Sequence, residues 1–108
     1  MSLNSDALYH YCIVRSDLPK GVICAQLVHA AGESSPGNLP ETTRAVVLAA
    51  VNLEKILALE RKLVEAGIPH KSIREPDAPW NGELMAIGIA PTKKELLKKL
   101  VSNLPLLR

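Results

Sequence analysis

Arg15, Asp17, Lys20, Gln26 and His29 fall within fifteen positions of one another, inside the run from Tyr11 to Ala31. Arg15, Asp17 and Lys20 crowd a short polar turn, and Gln26 and His29 interrupt the otherwise apolar stretch that follows. The set offers cations for an anionic group, a carboxylate that acts on water or orients Arg15, an amide donor and an imidazole. A strand that stops at a charged turn and passes straight into a helix is where α/β proteins place their sites. Strand ends and a helix N-terminus there converge on one crevice.

Each of these residues also has a plainer reading. Arg15 and Lys20 are equally two solvated turn charges. Asp17 suits an N-terminal cap, where the helix dipole favours a carboxylate. Gln26 and His29 are three apart, so they share a helix face with Val22, beside an apolar face of Ile23, Leu27 and Ala30. A polar pair on that border lines a crevice or is simply a satisfied structural group.

The elements that must position these groups read as follows. Leu8 to Arg15 is rich in aromatic and β-branched residues and reads as a strand. Pro19 stands where a helix begins, and the helix runs from about Lys20 to about Gly32. Ser, Pro, Gly and Asn between Glu33 and Thr42 make a loop. Arg44 to Val51 is a continuous apolar run suited to a parallel strand buried on both faces. Asn52 is an N-cap for a helix carrying Leu53, Ile56, Leu57, Leu63 and Val64 at helical spacing, with Gly67 as its stop. A short strand (70–75), a turn with Pro76, Pro79 and Trp80, and an apolar strand (84–90) follow. Thr92 and Glu95 form a capping box opening a last helix to about Asn103.

The order β-α-β-α-β-β-α predicts an α/β, single three-layer domain spanning 1–108, a four-stranded mixed sheet with helices on both faces. Its last two strands are expected as an antiparallel hairpin. Met1-Ser2-Leu3 reads as an expression scar and stands outside this expectation.

The bulk numbers fit one folded domain. Of 108 residues, 47% are hydrophobic and 22% charged, which argues against disorder. Aromatics are 3% with no Phe, so the core must be Leu, Ile, Val and Ala, and recognition of nucleic acid by stacking rings is disfavoured. A net charge of +2 is weak evidence for a polyanionic partner. Cys12 and Cys24 lack a metal-ligand pattern and read as reduced thiols of a cytoplasmic protein. No signal peptide or bilayer-spanning run is visible, and no cofactor is expected.

The Tyr11–Ala31 run resembles the archaeal and eukaryotic (type II) peptidyl-tRNA hydrolase family. Val14, Arg15, Asp17, Leu18, Lys20, Gly21, Ala25, Gln26, His29, Ala30 and Ala31 match its strand, its Lys/Gly turn and its Ala-Ala-Gln-x-x-His-Ala-Ala helix. Ala86-Ile87-Gly88 stands in its final strand, and the ending is similar to that of the divergent domain-containing branch. The resemblance implies an esterase that cleaves the bond between a peptide, or an N-blocked amino acid, and the tRNA 3′ end. It implies Asp17, Lys20, Gln26 and His29 as catalytic residues and Arg15, Lys20 and Glu75 as substrate- or tRNA-binding residues; Trp80 is a further binding candidate on the chemistry of its ring alone. It implies peptidyl-tRNA as partner and a homodimer, while the residues themselves lead to an expectation of no metal and no membrane. Trp80 either stacks on a base or a peptide side chain or packs over a core edge. Two family features differ here. Arg74-Glu-Pro-Asp-Ala-Pro-Trp-Asn-Gly82 replaces an Asp-x-Gly-Arg-Thr-like loop, so that Glu75 or Asp77 is the nearest acidic counterpart. Val22 occupies the place of the second turn lysine. The alternative is therefore a catalytically degenerate tRNA- or protein-binding module on the same fold.

Overall fold

In the computed structural model, which describes residues 7–108, the chain forms one four-stranded mixed sheet and three helices. Met1-Ser2-Leu3 lies outside the described residues. The elements are β1 (Tyr9–Arg15), α1 (Lys20–Ser34), β2 (Arg44–Ala50), α2 (Leu53–Glu65), β3 (Lys71–Glu75), β4 (Glu83–Thr92) and α3 (Lys94–Val101), in the expected order. The sheet order is β2-β1-β4-β3. β1 and β2 run parallel, joined by the α1 crossover, and β3 and β4 form the antiparallel hairpin.

Alternation along β1 builds the layers. Cys12 and Val14 pack with Ala30, Ile23 and Leu27 of α1 on one face. Tyr11 and Ile13 pack with Ile56, Leu59 and Leu63 of α2 and with Leu97 and Val101 of α3 on the other. The second layer is built from aliphatic residues and Tyr11, as a chain without Phe requires.

Asn52 caps α2 as expected, its side-chain oxygen accepting the Lys55 N–H at 2.9 Å. Gly67, at φ +69°, follows α2 in the left-handed region that favours glycine. Two local expectations are corrected. Arg44–Ala50 is the outermost strand and is buried only over Leu48–Ala50, because α1 and α2 pack mainly over β1 and β4 and leave its first half uncovered. The segment after α3 covers part of that edge: the Ala49 N–H donates to the Pro105 carbonyl and the Leu107 N–H to that of Val47. The Thr92–Glu95 capping box does not form. Thr92 is still in β4, opposite Tyr9, and Lys93 takes the cap position without a side-chain bond. α1 also runs two residues past Gly32, to Ser34.

Gly88 lets α1 lie directly on the sheet. A Cβ there would collide with the Ala30 carbonyl oxygen and the Ser34 side chain. The same spot holds a buried hydrogen-bond chain: Ser34 Oγ donates to the Ala30 carbonyl at 2.6 Å, and His10 Nε2 lies 2.7 Å from Ser34 Oγ. With the only hydroxyl proton committed to Ala30, His10 must donate through Nε2. Burial holds the His10 pKa below its usual value. Gly88→Ala is expected to cost about 1–3 kcal/mol of unfolding free energy, since a backbone carbonyl cannot rotate aside as a side-chain tip does. Urea unfolding checks this, and an unchanged midpoint would mean that α1 can lift off the sheet freely.

Candidate active site

β1 ends at Arg15, a residue only 6% exposed whose side chain carries a charge into the fold. A buried charge persists only when paired, and three acceptors surround this one. Nε and Nη2 each donate at 3.0 Å to Asp17, a fork-to-fork pair. Nη1 donates to Glu83 at 2.8 Å and to the Leu84 carbonyl at 3.3 Å. The hydrogen bonds that Arg15 donates to Asp17 raise the Arg15 pKa, and the same bonds hold the Asp17 carboxyl below its ordinary range. Asp17 therefore orients Arg15, one of the two roles open from sequence. Pro19 holds the cap position of α1 and no side chain caps the helix, so the capping reading of Asp17 is not the one seen.

The polar line continues along the hairpin. Glu83 sits directly opposite Glu75, an unfavourable like-charge pair unless each has a partner. Glu83 has Arg15, and Glu75 accepts from Gln26 Nε2 at 3.4 Å. Gln26 is 5% exposed, on the sheet-facing side of α1 with Ala30 and Ser34, whereas His29, one turn on, is exposed. Between α1 and β3 lies an open cleft of about 330 Å³, walled by Gln26, His29, Glu33, Ser72, Arg74 and Glu75. Arg74 is engaged from outside the cleft, bonding Glu60 of α2 at 2.8 and 3.0 Å, and Ser72 donates to the same carboxylate at 2.6 Å.

The structure thus brings Arg15 and Asp17 together at the end of β1, and Gln26, His29 and Glu75 together around the cleft. Lys20 is the exposed first residue of α1, and among the described residues no carboxylate pairs with it. Asp77 stays in the turn as an exposed residue whose carbonyl accepts from Trp80 and Asn81. Trp80 is half-buried in that turn and does not line the cleft. Glu83, Glu33, Ser72 and Arg74 were not anticipated. Glu83 becomes visible only once the hairpin register sets it across from Glu75 and beside the end of β1. Among the described residues no three His, Cys, Asp or Glu side chains gather as metal ligands, and no helix is long and apolar enough to cross a membrane.

A mixed sheet with helices on both faces, and a buried polar cluster where its parallel strand β1 ends, defines an α/β protein. The family model described as peptidyl-tRNA hydrolase PTH2 matches residues 8–107, nearly the whole chain, and the chain belongs to that family. Membership supports a peptidyl-tRNA hydrolase-like function in general terms. No curated protein matches the chain.

Proposed function

We propose that the chain hydrolyses the ester joining a peptide, or an N-blocked amino acid, to the ribose at the tRNA 3′ end. The observation that carries this reading is the continuous polar line from Asp17 through Arg15, Glu83 and Glu75 to Gln26, ending beside His29 in an open cleft. Ester hydrolysis needs an oriented water, a group that takes its proton, and donors for the developing oxyanion. His29, on the accessible wall of the cleft, takes the proton. Gln26 supplies a donor: its 3.4 Å bond to Glu75 is long, so the amide is readily redirected to a substrate oxygen. Asp17 and Glu83 hold Arg15, which leaves Lys20 as the cation of the turn that meets phosphates.

Lys20→Ala is expected to weaken tRNA binding and to lower the salt dependence of log K by about 0.7–0.9, the share of one phosphate contact. Titrations across a salt series check this, and an unchanged slope removes Lys20 from the phosphate site. Release of labelled acetyl-amino acid from acetyl-aminoacyl-tRNA tests the activity itself.

One observation favours a second reading, a binding module without turnover. Glu33 and Glu75 line the cleft while its arginine, Arg74, is taken by Glu60. Together with Val22 and the altered 74–82 loop, this leaves the cleft poorer in cations than phosphate binding calls for. A folded protein that binds tRNA yet releases no product from several of them is the result this reading expects.

A further inference from the structure

The charges of this fold are segregated along the strands. At the carboxyl end of β1 and the β3–β4 turn stand Asp17, Glu75, Asp77 and Glu83, and Arg15 is enclosed by two of them. At the opposite end, Tyr9 pairs with Thr92, after which come Lys93 and Lys94 at the start of α3; these two and Lys98 and Lys99 further along the helix are all exposed, with Glu95 the single acid among them. Among the described residues none of these four lysines is in an ion pair. The Lys94 ammonium lies 5.6 Å from the centre of the Tyr9 ring, which stacks on Tyr11 at 6.2 Å. Lys94 and Lys98 also line a groove of about 270 Å³ between α3 and strands β1 and β2, whose floor is the apolar set Tyr11, Val46 and Leu48.

We infer that this α3–β2 surface binds the phosphate backbone of the tRNA body, while the Lys20 end receives only the 3′ terminus. The inference rests on the proposed tRNA substrate and adds a second contact surface to it. The carboxylates around Arg15 repel a polyanion laid across that end, so one phosphate contact at Lys20 cannot hold a whole tRNA. The α3 end offers several unpaired cations on a single helix. Seven strand residues at about 3.3 Å each separate the two ends by roughly 20 Å, a distance that a nucleic-acid strand bridges and a small substrate does not. The polarity also sets direction, steering the stem to α3 and leaving the esterified end facing the cleft.

The test measures binding of fluorescein-labelled deacylated tRNA, and of a short oligonucleotide matching its 3′ end, across a salt series. Lys94→Gln/Lys98→Gln is expected to weaken tRNA binding about tenfold at low salt and to lower the slope of log K against log salt by about 1.4–1.8, two phosphate contacts. Binding of the short oligonucleotide stays as in the wild type. Arg61→Gln/Lys71→Gln, an equal change of charge elsewhere, leaves the tRNA slope intact. An unchanged slope in the α3 variant, or an equal fall in the control, overturns the assignment and makes the lysines a solvated face. If the slope falls as expected while the wild type releases no product from acetyl-aminoacyl-tRNA, the surface stands and the esterase reading fails. Wild-type protein that does not bind tRNA overturns both.

Discussion

Arg15→Met is expected to lower the unfolding free energy by about 2–4 kcal/mol, because removing one partner of a buried ion pair leaves the other charges uncompensated. Two features set the size. Arg15 itself is 6% exposed, which raises the loss, whereas the Asp17 and Glu83 side chains keep more than a third of their surface in water, which moderates it. The loss has a pH signature. Hydrogen bonds from Arg15 lower the folded Asp17 pKa below its ordinary 3.8. The unfolded chain therefore takes up the proton first as pH drops. The stabilisation from this pair is fully present above about pH 3.8 and disappears as pH falls through the lower folded value. The difference between wild type and Arg15→Met should be widest at neutral pH and shrink in acid. Urea unfolding of both proteins between pH 7 and pH 3 measures it, and a gap independent of pH would mean that Arg15 stabilises by packing alone. Arg15→Lys should recover only part of the loss, since an ammonium cannot reproduce the two parallel bonds to Asp17.

His29→Ala is expected to leave folding intact and to lower turnover by about 10²–10⁴, the usual contribution of a positioned general acid or base. Intact folding follows from position: His29 is exposed on α1, and no hydrogen bond to it is found among the described residues. A structural imidazole would behave otherwise, as His10 does with its bond to Ser34. Unfolding curves and release of acetyl-amino acid, measured on one preparation, separate the two. Full activity in His29→Ala would leave the proton to another group, with Glu75 across the cleft the next in line.

The legible part of this chain was the part whose signals are local. Element order, the N-cap at Asn52 and the stop at Gly67 depend on a few neighbouring residues. The junction of β1 and α1 was legible too, because Arg15, Asp17, Lys20, Gln26 and His29 lie on consecutive elements. What sequence left open was decided by register. Asp17 holds Arg15 through Nε and Nη2, while Nη1 of Arg15 reaches Glu83, 68 positions away, a contact that exists only because β4 lies beside β1. The apolar run at 44–51 read as a strand buried on both faces, but composition cannot tell a central strand from an outer one that the helices cover only in part. The Thr92–Glu95 pattern had the right residues for a capping box, and pairing of Thr92 with Tyr9 drew it into the sheet instead. Gly88 stood in the family-like strand for a reason visible only in three dimensions, the collision that any Cβ would meet at Ala30.

The measurement that tests the central claim most directly is release of labelled acetyl-amino acid from acetyl-aminoacyl-tRNA by the purified protein, with Asp17→Ala and Lys20→Ala alongside. Turnover by the wild type at subsaturating tRNA, lowered in both variants while each still unfolds cooperatively, is the predicted result. It would tie the chemistry to the junction of β1 and α1 despite the altered 74–82 loop. No release by folded wild-type protein from any of several tRNAs would contradict the account, and full activity in both variants would move the site away from that junction.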